Sequence, residues 1–280
     1  MVLESLINPF KAERTPFELF FIGALYTSVA LLLSVWIFKD YASLVMVFLT
    51  AVACIPLFYS TMIYEEEKNL QVEGERTLLK EHSRALAFLI FLFLGITVAY
   101  TIWYVALPSE TTSSLFGIQS QTIASINNVT GGVTQLSILS RIFLNNIKVL
   151  VFCVLFSLVY GAGAIFIIAW NASVISVATG NFIKMQIAGF LGAGGAATTA
   201  YFYATSTAVL RYFVHGIPEI LAYFVAALAG GILSAAIIRK HFGTKYFERI
   251  ATDATNLLVL SIIILFIAAL FEVYLTPLFF

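Results

Sequence analysis

Apolar runs of roughly 20 residues recur along the chain, divided by short polar or charged stretches, and each is long enough to cross a bilayer core. The first covers about 17–38 and is opened by Thr15 as N-cap and Pro16 at the first helical position. Further runs cover about 42–63, 85–107, 147–170 and 186–210. The last two are a helix opening at His215 to Glu219 and closing near Ile238, and a run over about 254–275. Each is too long for a barrel strand. The pattern predicts an all-α, polytopic helical transmembrane bundle of about seven spans.

The polar stretches divide the chain further. Residues 1–16 form a short amphipathic segment, with Leu3, Leu6, Ile7 and Phe10 spaced along one face to lie on the membrane surface. The apolar run behind it is too long for a secretion signal and has no small-residue cleavage site. Helices over 17–107 carry a charged hairpin at 64–84, which begins Glu65-Glu66-Glu67-Lys68 and bends near Gly74. It reads as a solvated helical hairpin. A metal or partner site built by the three glutamates is the second reading. A polar loop over 108–145 precedes a C-terminal membrane domain at 146–280.

Charge sets the orientation. The stretch from Pro108 to Ser140 holds no Lys, Arg or His and one acid, Glu110, so it faces outward. It contains a sequon, Asn128-Val129-Thr130. The charged hairpin and the N-terminus then face the cytoplasm. The Gly-rich run at 186–210 decides the span count. If it crosses, Arg239, Lys240, His241, Lys245 and Arg249 join the hairpin on the cytoplasmic side and the C-terminus lies outside. The rival is six spans plus a re-entrant segment, since irregular backbone survives at membrane depth when protein buries it. Trp36, Trp103 and Tyr104 fall at the outer ends, where an aromatic belt belongs.

Composition agrees. The chain is 61% hydrophobic and 11% charged, unlike a soluble domain, and its formal net charge is zero. A balanced charge gives nucleic acid no handle. Cys54 and Cys153 sit inside apolar runs and read as packed thiols. No phosphate-binding loop, nucleophile elbow or Cys/His knuckle occurs, so neither enzyme activity, nor a cofactor, nor a bound metal is expected.

Polar and small residues gather between Tyr160 and Ala235. His215 and Glu219, four apart, share a helix face. They form either a clasp or a stop on a proton or ion path, and are too few for zinc. Pro218 fits a first helical turn, and Gly216 offers close backbone approach. Asn145 and Asn146 read as caps. Asn171 ends a span, as a cap or an interhelical hydrogen bond. Glu272 is interfacial or a partner for His215. Ala188/Gly192, Gly192/Ala196, Ala226/Gly230 and Gly231/Ala235 are small pairs at helix-packing spacing.

Asn145-Asn146, the glycines of Tyr160-Gly-Ala-Gly, Asn171, and His215-Gly-Ile-Pro-Glu219 followed by Gly230-Gly231 together resemble the SpoIIM (stage II sporulation protein M) family. The likeness runs over about 145–238. The N-terminal half is more similar to archaeal-type members than to the sporulation protein. The resemblance implies a non-enzymatic, multi-pass membrane scaffold or anchor for envelope or membrane-remodelling partners. Asn146, Asn171, His215, Gly216, Glu219, Gly230 and Gly231 are then structural or partner-binding positions. Expected partners are membrane lipids, membrane or envelope proteins and further copies of the chain. The alternative is a transporter or channel for a small solute, ion or lipid.

Overall fold

The computed structural model describes residues 16–71, 75–127, 134–160, 164–241 and 243–279. The N-terminal amphipathic segment, the bend at Gly74 and the sequon at 128–130 lie outside them. The described residues form α1 (Pro16–Ile37), a 3-10 turn (Lys39–Tyr41), α2 (Ala42–Gln71), α3 (Glu75–Ala106) and α4 (Ser109–Asn127). α5 (Gln135–Tyr160), α6 (Ala164–Gly192), α7 (Ala197–Ile238) and α8 (Lys245–Leu270) follow, with a π-turn (Phe271–Leu275) and α9 (Thr276–Phe279). No strand occurs among these residues.

Among the described residues, seven helical stretches are long and apolar enough to cross a membrane: Pro16–Ile37, Lys39–Glu67, His82–Ala106, Gln135–Leu158, Ala164–Gly192, Gly216–Ile238 and Lys245–Leu278. The protein is a multi-pass helical membrane bundle. Two spans are cut differently from the sequence reading. Asn171 does not end a helix; its Nδ2 donates to the Ile167 carbonyl at 2.8 Å, so α6 absorbs it. The described helices instead end at Tyr160 and resume at Ala164. The Gly-rich run at 186–210 is not a span of its own. It holds the end of α6, a turn with Gly194 at φ 81°, and the start of α7.

α7 is the axis. Of the most apolar 18 residues within Gly216–Ile238, 83% are buried, more than in any other span. Ala222, Ala226, Ala227, Ala229, Gly230, Gly231 and Ala236 make it thin enough for α2, α3, α5, α6 and α8 to close on it. A Cβ on Gly230 would stand 2.7 Å from Ser157 Cβ on α5 and 3.2 Å from the Val154 carbonyl oxygen. The other tight crossing joins α1 to α3. A Cβ on Gly23 would lie 2.5 Å from the Leu92 carbonyl oxygen, and one on Gly95 would collide with the Phe20 carbonyl.

α4 lies within the segment read as a polar loop. Leu115 and Phe116 are its apolar anchors, and Phe116 sets its ring edge-on to Tyr100 and Tyr104. Its Gln119 is fully buried. Ser43 Oγ on α2 donates to Gln119 Oε1 at 2.7 Å, and Gln119 Nε2 donates to the Ser43 carbonyl and to Ser173 Oγ on α6. This node ties α2, α4 and α6 at the end of the bundle opposite Glu65 to Glu67.

Candidate functional site

The other end of the bundle is where the charges meet. α2 carries Glu65, Glu66 and Glu67 in its last turns, α3 carries His82 in its first turns, α7 closes at Ile238, and α8 begins at Lys245. The turn between α7 and α8 delivers its groups by a specific backbone device. Lys240 N–H donates to the Ile237 carbonyl and His241 N–H to the Ala236 carbonyl, both at 3.0 Å. This is the Schellman arrangement, which places the residue after the C-cap in the left-handed region. Glycine usually takes that place; here Lys240 does, at φ 61°. Gly243 (φ 79°) completes the turn, and Thr244 Oγ1 caps α8 by accepting from Phe247 N–H at 3.2 Å.

Three helices, two of them consecutive and the third far along the chain, meet at one imidazole. His82 Nδ1 lies 2.7 Å from Glu65 Oε2 of α2, and His82 Nε2 lies 3.0 Å from Asp253 Oδ2 of α8. The His82 side chain is 1% exposed, that of Glu65 0% and that of Asp253 9%. Beside them Arg239 forks across two neighbouring carboxylates. One guanidinium nitrogen donates to Glu66 Oε2 at 3.0 Å, the other to Glu67 Oε1 at 2.7 Å. The hydrogen bond to Glu67, aided by the negative charge of Glu66, holds the guanidinium above its ordinary pKa. His241 Nδ1 stands 2.9 Å from Glu66 Oε1. Both atoms are buried, yet the angle lies outside the hydrogen-bond range.

Two of the three consecutive hairpin glutamates are therefore not part of a solvated face. Glu65 and Glu66 are fully buried, because residues from α3, α7 and α8 cover them. Among the described residues no group of three or more His, Cys, Asp and Glu side chains is arranged to hold a metal ion. The sequence offered one usable signal: three consecutive glutamates end an apolar helix, and such charges need partners when they do not face water. Nothing local marked His82, Arg239 or Asp253 as those partners.

The residues singled out in the sequence lie elsewhere. Asn146 is buried within α5, well past its start at Gln135, so it is not a cap. Gly230 is a packing glycine, and Gly231 faces the flexible Met62 side chain. A Cβ on Gly216 would meet nothing within 4 Å, so this glycine serves no close approach; the same holds for Gly192. His215 lies inside α7, with its side chain outside the described ones. Pro218 is an interior proline of a helix of 42 residues rather than a first-turn one. It removes one backbone hydrogen bond there. Glu219 accepts from Tyr223 Oη at 2.8 Å, one turn along α7. Glu272, on the π-turn, is in electrostatic reach of Glu219. Tyr104 is not a lipid-facing belt residue: its hydroxyl donates to Asn181 Oδ1 at 2.6 Å and its ring is buried.

The family described as Stage II sporulation protein M (SpoIIM) matches residues 85–277. No curated protein and no solved structure matches the chain.

Proposed function

Because the chain belongs to the SpoIIM family, we propose that it is a non-enzymatic integral membrane scaffold that gathers envelope or membrane-remodelling partners. The observation that carries this reading is how its buried polar groups are engaged. Glu65 pairs with His82 and Glu66 with Arg239, each across helices, while Gln119 bonds to α2 and α6. Glu219 is held by Tyr223 on its own helix. Polar contacts that cross between helices in this way tie a frame together. Proton and ion paths, by contrast, need ionisable groups in series through the membrane.

The charged end lies in the cytoplasm in this reading, because the segment from Pro108 to Ser140 at the opposite end lacks basic residues. Lipids cover the apolar sides, and membrane or envelope proteins and further copies of the chain are the partners. The test is twofold. Solubilised gently from its native membrane, the protein should bring down membrane or envelope proteins in fixed proportion. In proteoliposomes it should carry no gradient-driven flux. An ion-dependent flux that Glu219→Gln abolishes, with the fold retained, would replace the scaffold by a transporter.

A further inference from the structure

The triad Glu65–His82–Asp253 makes a demand on protons that its geometry fixes. Each of its two contacts is short enough to be a hydrogen bond, at 2.7 and 3.0 Å. Two hydrogen bonds need two hydrogens. A neutral imidazole supplies one, and an ionised carboxylate supplies none. The closed triad therefore holds one proton more than a neutral ring with two carboxylates. The extra proton sits on the second ring nitrogen, or on a carboxylate oxygen that donates to the ring. Without it, a ring lone pair would face a carboxylate in a site closed to water, and a buried polar group without a partner is costly.

The three groups lie on α2, α3 and α8, so closing the triad joins α8 to two helices more than 130 residues before it in the chain. We propose that His82 and its two carboxylates form a proton-binding site whose occupancy latches the charged end of the bundle shut. This goes beyond the scaffold reading and stands without it. Among the described contacts, the surrounding charges do not supply the missing hydrogen. From α7 and its cap, Arg239 is engaged by Glu66 and Glu67, and His241 faces Glu66. Glu65 on α2, Arg84 on α3 and Arg249 on α8 each make a further interaction. None of the described contacts places another donor between His82 and either carboxylate.

The sign follows from mass action. The closed end binds the proton and the open end does not, so closure holds while the site is protonated and fails as the pH rises through its deprotonation. The full-length protein in nanodiscs carries spin labels at Ser83 on α3 and Thr252 on α8, both exposed positions. With Cys54 and Cys153 replaced, the label distance is followed from about pH 6 to about pH 10, a range that brackets the ordinary histidine titration. One short distance should give way to a second, longer population on the alkaline side. The chain has three histidines, so nitrogen spectra of the ring, assigned through His241→Asn and His215→Asn, report the same step independently. Asp253→Asn should abolish the distance step, because its amide donates to a neutral ring and replaces the missing hydrogen. His82→Gln should abolish it too, and if that variant does not fold, Asp253→Asn carries the test alone. A ring that deprotonates with no change in the distance would overturn the latch. So would a distance step that survives in Asp253→Asn.

Discussion

At Lys240 the backbone adopts a conformation that a side chain resists. A left-handed residue other than glycine costs roughly 1–2 kcal/mol, and the Schellman bonds of Lys240 and His241 hold it there nonetheless. Lys240→Gly should therefore raise thermal stability by about 1 kcal/mol, less the added freedom of the unfolded chain. A lowered melting temperature would mean that the lysine side chain contributes more than its strain removes. Arg239 invites a finer comparison, because its two partners differ in exposure. The Glu67 side chain is 42% exposed and Glu66 is buried. Glu67→Ala should cost under about 1 kcal/mol, as exposed pairs do. Arg239→Ala strands the buried Glu66 and should cost more, toward the roughly 3–5 kcal/mol of a broken buried pair. Chemical denaturation of the two variants side by side checks the order.

Between elements, what a glycine faces decides whether it can change. A Cβ on Gly95 would meet the backbone of Phe20, at 2.8 Å from its carbonyl carbon and 3.0 Å from its Cα, and backbone cannot swing aside. Gly95→Ala should force α1 and α3 apart and cost on the order of 1–3 kcal/mol, as overpacked sites do. A Cβ on Gly231 would meet Met62 Sδ at 2.5 Å, the far part of a flexible side chain, so Gly231→Ala should cost less. Gly192→Leu should be close to neutral, since nothing lies within 4 Å of a Cβ there. Thermal stability of the three in one detergent ranks them; a Gly192→Leu protein as unstable as Gly95→Ala would contradict the open surroundings of that turn. The spacing of small residues points to Gly192 and Gly230 alike. Only Gly230 packs, because spacing reports a helix face and not whether a second helix covers it.

For the molecule as a whole, orientation is the property to measure. With the background cysteines removed, a cysteine at Ser113 on α4 should react with a membrane-impermeant thiol reagent in intact cells, and one at Thr244 should not. The reverse pattern would place the charged end outside. Both positions are exposed in the fold, so labelling reads sidedness and not burial.

Sequence alone determined the solvent and the class. Runs of apolar residues as long as a bilayer is thick can fold only as helices there, since each backbone polar group must find its partner within its own segment. The family, too, is readable from the His215 to Glu219 motif and its setting, and the match extends well beyond that stretch. The tertiary structure decided where helices break and which polar groups matter. Asn171 reads as an end and is interior, because one local hydrogen bond to Ile167 satisfies it. Glu65 and Glu66 read as a wetted surface and are buried, because their partners stand 17 positions away at His82 and more than 170 away at Arg239. Local pattern reports the preference of a segment for water or for lipid. It cannot report which distant residue will arrive to neutralise a charge, for that is settled only when four helix ends meet.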